Sequence, residues 1–170
     1  MTKKTRALIL SVAVLAGFSS CSKPVIQAPP PITVVIYPSK DFPAGSVGTI
    51  EGILGDSGLA VLDRTLSDSI FEGIRIPASG DLPASTADQI ASRSHAQILI
   101  FASAVKNPHE LAYINGAYKL TMRWIELPSG KVMITRVKAL YFMPRVVNIK
   151  EVMEACMEAY REQTSGSGGR

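Results

Sequence analysis

The segment from residue 118 to residue 140 carries the pattern that most restricts the fold. It holds two runs of alternating side chains, Tyr118–Glu126 and Val132–Leu140, on either side of a Pro-Ser-Gly turn. Successive side chains of a β-strand point to opposite faces of a sheet, so Leu120, Met122 and Trp124 share one face. The two runs predict an antiparallel β-hairpin that packs this apolar face against other elements.

Segments typical of strands and of helices alternate through the rest of the chain. Short apolar runs rich in β-branched residues predict strands, and apolar residues three or four positions apart predict helices. The predicted strands are residues 32–37, 59–62 and 97–102, and the predicted helices are residues 45–55, 65–74, 85–94 and 148–161. The N-caps expected for the last three helices are Thr65, either Ser85 or Thr86, and Asn148.

Strands separated by helices, then closed by a hairpin and a helix, predict an α/β fold. We expect a single-domain sandwich over residues 32–162, in which helices pack on a mixed sheet and a C-terminal helix follows the β-hairpin. Trp124 should lie beneath that last helix, near residues 152–156. The Gly- and Ser-rich residues 163–170 are expected to form a disordered tail.

The N-terminal residues have the composition of a lipoprotein signal. Lys3, Lys4 and Arg6 precede an apolar run of 11 residues, Ala7–Gly17. This length suits the apolar part of a secretory signal, about 7–15 residues, and is short of the about 20 residues of a membrane-spanning helix. The run Phe18-Ser19-Ser20-Cys21 then resembles a bacterial lipobox, in which the cysteine is acylated and the chain is cleaved before it, although an aliphatic residue is more usual than Phe18.

Residues 1–20 are therefore expected to be a signal peptide, with Cys21 as the lipid attachment site. The alternative is an ordinary secretory signal with an incidental cysteine. Residues 21–31 contain four prolines and predict an extended tether between the lipid and the domain. Under the rule known for enteric bacteria, Ser22 after the cysteine favours the outer membrane, with the domain facing the periplasm.

Charge and cysteine content argue against several kinds of ligand. The chain has 18 basic and 14 acidic residues, but three basic residues belong to the predicted signal, which leaves a net charge of +1 and no basis for nucleic-acid binding. If Cys21 carries lipid, Cys156 has no partner for a disulfide. His95 and His109 have no cysteine or paired carboxylate near them in the sequence, so neither a metal site nor another cofactor is expected.

Basic residues on and after the hairpin allow two interpretations. They are Lys119, Arg123, Arg136, Lys138 and Arg145. Such a group could bind anionic glycans or phospholipid head groups, but a solvated sheet face is the commoner explanation.

The sequence Gly55-Asp56-Ser57-Gly58 is similar to the nucleophile motifs of chymotrypsin-like proteases and of lipase-like esterases. A serine nucleophile needs a histidine base, which precedes the serine in these proteases and lies near the C-terminus in these esterases. Here both histidines follow Ser57, and none follows His109. Gly58 is instead a typical residue at the end of a helix. We therefore expect Ser57 to be non-catalytic and the protein not to be an enzyme.

Three parts of the chain resemble a group of periplasmic domains. They are Gly58–Arg64 (GLAVLDR), Ala96–Ile100 (AQILI), and Tyr118–Glu126 followed by Ser129–Val132 (YKLTMRWIE and SGKV). Similar strand and turn patterns occur in CsgG-type curli secretion lipoproteins, LpoB-type activators of penicillin-binding proteins and the N-terminal domain of TolB. Two positions depart from the pattern: Ser94-His95-Ala96-Gln97 stands where Gly-Ala-Asp is usual, and Trp124-Ile125-Glu126 where Leu-Ile-Asp is usual.

The resemblance implies a role in envelope assembly rather than in chemistry. It favours a membrane-anchored, non-enzymatic assembly or regulatory factor that binds an envelope protein, either as a cell-wall synthase activator or as an accessory of a secretion or appendage system. The alternatives are a ring-forming structural lipoprotein of a secretion or motility machine, which would be a homo-oligomer, and a small envelope serine hydrolase.

Replacing the predicted lipid attachment site should release the protein from the membrane. We expect Cys21→Ser to leave an uncleaved or soluble, mislocalised chain, because each buried CH₂ of the lost acyl chains contributes about 0.8 kcal/mol of membrane binding. Membrane fractionation of cells grown with labelled palmitate measures this. Label retained on the serine variant would contradict the assignment of Cys21.

Overall fold

A five-stranded mixed sheet forms the centre of the structure, a computed structural model that describes residues 30–77, 79–106 and 118–166. Its strands are β1 (Thr33–Pro38), β2 (Ala60–Val61), β3 (Ile98–Lys106), β4 (Tyr118–Glu126) and β5 (Val132–Leu140), in the order β2-β1-β3-β4-β5. Strand β1 is parallel to β2 and β3, whereas β4 is antiparallel to β3 and β5. The predicted hairpin is thus confirmed.

Four α-helices cover the sheet, and they are α1 (Val47–Asp56), α2 (Arg64–Ile70), α3 (Ala84–Ser94) and α4 (Val146–Gly166). Helices α1 and α4 share one apolar cluster with the sheet, and α2 and α3 share another on the opposite face. The predicted α/β sandwich with a mixed sheet and a C-terminal helix after the hairpin is therefore confirmed. Within the described ranges, none of the helices has both the length and the apolar character needed to cross a bilayer.

The central strand β3 is buried on both faces. Its residues from Ile98 to Ala104 are all buried, with Ile100 in the cluster of α1 and α4 and Leu99 in the cluster of α2 and α3. A strand covered on both sides has a continuous apolar sequence, which is why this segment was predicted as a strand. It extends to Lys106, four residues beyond the predicted end at residue 102.

Trp124, the single tryptophan, lies beneath α4 as predicted. It is fully buried on the same sheet face as Leu120 and Met122, and Met153 of α4 belongs to the same cluster. Its ring centroid is 5.2 Å from that of Tyr160, and the two rings are tilted by 40°. Burial of the hydroxyl-bearing ring raises the pKa of Tyr160.

The N-caps of α2 and α3 differ from the predicted ones. Asp63 is the N-cap of α2, and its side chain accepts a hydrogen bond from the Thr65 N–H group at 2.8 Å, so Thr65 lies inside the helix. Pro83 precedes α3 with no side-chain cap, so neither Ser85 nor Thr86 is the cap. The Pro83 carbonyl accepts hydrogen bonds from the Thr86 and Ala87 N–H groups, both at 2.9 Å, so α3 begins without a side-chain acceptor.

Helix α4 is longer at both ends than predicted. It begins at Val146, and the Arg145 N–H group donates to the Asn148 side-chain oxygen at 3.0 Å. Asn148 is therefore the third helical residue and reaches back to the start, as the third residue of a capping box does. The helix continues to Gly166, so residues 163–166, which we assigned to the tail, are helical.

Truncating Trp124 should remove a large part of the domain's stability. We expect Trp124→Ala to lower the free energy of unfolding by about 3–5 kcal/mol, out of about 5–15 kcal/mol for a typical domain. Leu66→Ala is the control, because Leu66 is 56% exposed and should change the free energy by no more than about 0.5 kcal/mol. Urea unfolding monitored by circular dichroism measures both. Equal losses in the two variants would contradict the burial of Trp124.

Candidate interaction surface

Two residues singled out in the sequence lie outside the described part of the chain. Cys21, the predicted lipid attachment site, precedes residue 30, and His109 falls between residues 106 and 118. Both assignments therefore stay predictions.

Ser57 ends helix α1, as its sequence context predicted. Gly58 follows it with a φ of 80°, a left-handed conformation that glycine adopts without a steric penalty. The Gly58 N–H group donates to the Gly55 carbonyl at 3.0 Å, and the Leu59 N–H group donates to the Leu54 carbonyl at 3.1 Å. This pair of hydrogen bonds is a Schellman motif, so the glycine-rich sequence has a structural explanation.

The surroundings of Ser57 do not activate its hydroxyl. The hydroxyl donates to the Ile53 carbonyl at 2.8 Å, a bond within its own helix. Ser57 also lines a groove of about 580 Å³ between α1 and α4, in which Lys150 pairs with Glu154 at 3.8 Å. The Ser57 hydroxyl is therefore bonded within its own helix rather than to a side chain that could act as a base.

His95 ends α3 on the other face of the sheet from Ser57. It is the C-cap of that helix and has a φ of 54°, a left-handed conformation that is rare for a residue with a side chain. The His95 N–H group donates to the Ala91 carbonyl at 2.8 Å, so His95 takes the position at a helix end that glycine often occupies. Among the residues that the structure describes, no group of three or more His, Cys, Asp or Glu side chains could hold a metal ion.

Cys156 is a buried thiol in α4. Burial raises its pKa to about 12, although the nearby Arg136 acts in the opposite direction. A thiol with so high a pKa is almost entirely protonated at neutral pH, so it is neither a nucleophile nor a metal ligand there. Cys156 is therefore a core residue of α4.

The basic residues of the hairpin do not form one surface. Arg136 and Lys138 lie opposite Met122 and Leu120 in the sheet register, which places them on the α1 and α4 face, and Lys138 pairs with Glu151 of α4. Lys119 and Arg123 lie on the other face. There Arg123, only 23% exposed, pairs with Asp81 at 2.6 Å and holds the pKa of that carboxyl below its usual value. The single basic sheet face considered from the sequence is therefore wrong.

An exposed apolar surface lies where β5 passes into α4. Five large apolar side chains here are between 52% and 76% exposed, and Phe142 is the most exposed. We call them the apolar corner, and they are Tyr141, Phe142, Met143, Val146 and Val147. With Arg145 and Asn148, members of this set line a shallow depression of about 400 Å³. Isolated exposed apolar residues are normal on a protein surface, but a contiguous group of this kind is typical of an interaction site.

The backbone around the apolar corner is held in place. Pro144 is buried in the middle of the segment, and its ring restricts the chain there. The Arg145 N–H group is bonded to Asn148, and the Asn148 and Ile149 N–H groups donate to the Arg145 carbonyl at 3.0 and 3.2 Å. Because the first turn of α4 is fixed in this way, Val146 and Val147 are presented to solvent on a formed helix.

Sequence reasoning missed the apolar corner. Tyr141, Phe142 and Met143 directly follow a strand, and apolar residues at a strand end are usually part of the core. The signal that could have revealed them is Pro144, because the residue before a proline is biased towards an extended conformation, which indicates a connection between the strand and the helix. The sequence between Leu140 and Pro144 contains no charged residue.

No protein-family model matches this sequence, and no curated protein sequence matches it. Solved structures do resemble it, at low sequence identity. The C-terminal domain of LpoB from Salmonella enterica has a TM-score of 0.43 and 16% identity, covering 65% of this chain and 82% of that chain. A lipoprotein from Neisseria meningitidis has a TM-score of 0.47 and 12% identity, covering 81% and 99%.

TolB from Acinetobacter baumannii has a TM-score of 0.47 and 8% identity, and the similarity covers 80% of this chain but only 28% of that chain. LpoB and TolB, which the sequence motifs resemble, are thus among the proteins of similar structure. At these identities and TM-scores the similarity concerns the fold alone.

Removing the Ser57 hydroxyl should leave the protein functional. We expect Ser57→Ala to bind its partner protein with an affinity within about twofold of the wild type, because the hydroxyl only bonds to a carbonyl of its own helix. Circular dichroism verifies that the variant is folded. A folded Ser57→Ala protein that has lost its cellular role would revive the hydrolase interpretation.

Proposed function

We propose that this protein is a lipid-anchored lipoprotein of the bacterial envelope that acts as a non-enzymatic assembly or regulatory factor by binding another protein. The observation that carries the proposal is the apolar corner. It is rich in aromatic and aliphatic side chains, which dominate the energetically important centres of protein interfaces. The predicted signal and Cys21 support the envelope location, and the bonded hydroxyl of Ser57 supports a non-enzymatic role.

The position of the apolar corner favours a protein partner over the anchoring membrane. The domain begins with β1 at Thr33, just after the predicted tether. Strand β5 runs parallel to β1, because β1 is parallel to β3 and two antiparallel pairings separate β3 from β5. The end of β5 therefore lies at the opposite end of the sheet from the tether, about 30 Å away at about 3.3 Å per residue.

The motifs that resemble LpoB, CsgG and TolB suggest which partners to test first. We propose a component of cell-wall synthesis, or of a secretion or appendage system, and an outer-membrane anchor with the domain facing the periplasm. A second copy of the chain, as in a ring-forming lipoprotein, would also cover an apolar surface. The experiment below separates this alternative by the mass of the crosslinked product.

Site-specific photo-crosslinking in intact cells tests the proposal. A photoreactive phenylalanine analogue is placed at position 142 in the apolar corner or, as a control, at position 66, because Leu66 is also exposed but lies on α2. We expect a discrete adduct with another envelope protein at position 142 and none at position 66. The adduct should disappear when Tyr141→Ser and Met143→Ser accompany the probe.

Three results would contradict the proposal. Adducts of the same mass at positions 142 and 66 would indicate unspecific contact. Adducts with phospholipid alone at position 142 would make the corner a membrane contact. An adduct with twice the mass of the chain would show that the partner is a second copy of the chain rather than another protein.

A further inference from the structure

Strand β5 is the one long free edge of the described sheet. The other edge strand, β2, has only the two residues Ala60 and Val61, whereas β5 has nine. No described strand pairs with the outer side of β5. An edge strand pairs with its neighbour through alternate backbone groups, and the remaining N–H and C=O groups point outward, where they can pair with an added strand.

The first part of β5 is less suited to pairing with an added strand than the second part. A register shift opposite Ile125 disturbs the pairing near Val132, and such bulges bend and twist an edge. The side-chain amide of Gln163, near the end of α4, donates to the Met133 carbonyl at 3.2 Å. We call the remaining stretch, Thr135–Leu140, the open edge, and most of its residues are exposed.

The charge of this region has a single sign. Residues 131–145, from the start of β5 to the start of α4, include four basic residues and no acidic residue. Lys138 is paired with Glu151, but among the described residues no ion pair involves Arg136. Arg136 is exposed near the start of the open edge, and its guanidinium donates a hydrogen bond to the Thr135 carbonyl at 3.5 Å.

We propose that the open edge binds an extended, acidic segment of the partner protein, which adds to the sheet as a sixth strand beside β5. The strand leads directly into Tyr141, so a segment paired with the open edge would continue across the apolar corner and could place an apolar side chain there. Backbone pairing would supply affinity, and the acidic residues would supply selectivity. This inference rests on the proposed function and specifies the chemistry of the partner.

The same region disfavours both a second copy of the chain and an anionic bilayer as the partner of the open edge. A second copy paired edge to edge would bring the Arg136 and Lys138 side chains of two β5 strands together, and like charges on paired strands are destabilising. An anionic bilayer would satisfy the basic side chains but cannot offer an ordered row of backbone partners to the outward-facing N–H and C=O groups of the edge.

Fluorescence anisotropy with synthetic peptides tests this inference. The full chain is reconstituted in phosphatidylcholine vesicles and titrated with a labelled nine-residue peptide of alternating valine and glutamate. One control peptide has lysine in place of glutamate. Another has proline in place of valine, which keeps the charges but prevents strand pairing. We expect each control peptide to bind at least about tenfold more weakly than the valine–glutamate peptide.

Protein variants locate the binding to β5. Arg136→Glu should weaken binding of the valine–glutamate peptide by at least about tenfold and Arg136→Gln by less, because one reverses and the other removes the attracting charge. Arg75→Glu is the matched control, since Arg75 is also exposed but lies beyond α2 on the other side of the sheet, and it should bind within about twofold of the wild type. Arg136→Gln keeps the test valid if Arg136→Glu does not fold.

Several results would overturn the inference. Equal binding of the proline and valine peptides would mean that charge acts without strand pairing. No binding of the valine–glutamate peptide, together with binding of the chain to phosphatidylglycerol vesicles that Arg136→Glu abolishes, would assign the edge to a bilayer. If the position-142 adduct persists in Arg136→Glu while the peptides fail to bind, the proposed function stands and this inference falls.

Discussion

The structure depends on the two-sided burial of strand β3. Because its residues from Ile98 to Ala104 are enclosed on both faces, the sheet needs a helix layer on each side. Helices α1 and α4 provide one layer around Trp124, and α2 and α3 provide the other around Phe101. A strand buried on both faces gains most of its stability from apolar contact, while its backbone N–H and C=O groups pair with the neighbouring strands.

Burial decreases from β3 towards β5, and this gradient leaves the molecule with an asymmetric surface. Strand β5 still packs Ile134 into the core, but Val137 is exposed, and the chain then emerges into the apolar corner before α4 returns to the sheet. The side of the domain that carries β5 therefore combines an unpaired strand edge, basic side chains and exposed aromatic rings. In contrast, Ser57, whose motif is similar to that of serine hydrolases, and His95 lie at helix ends on opposite sides of the sheet.

The sequence predicted those features that repeat along the chain and missed those that depend on single contacts. Alternation defined β4 and β5 with their observed bounds and placed Trp124 under α4. The N-cap of α2 was wrong because a cap is decided by one hydrogen bond, and Asp63 rather than Thr65 supplies the acceptor. The division of the basic residues between two faces was also missed, because it depends on the register between β4 and β5, which shifts at Ile125. The apolar corner was missed because exposure depends on which elements cover a segment, and sequence periodicity does not specify this.

The central claim is that a partner protein in the envelope covers the surface formed by the open edge and the apolar corner. Hydrogen–deuterium exchange of the backbone amides tests it. The full chain is compared in native envelope membranes and in phosphatidylcholine vesicles, with exchange read from peptides that span residues 135–143 and, as a reference, α2. The account predicts slower exchange over residues 135–143 in native membranes and unchanged exchange in α2. Equal exchange over residues 135–143 in the two preparations would contradict it.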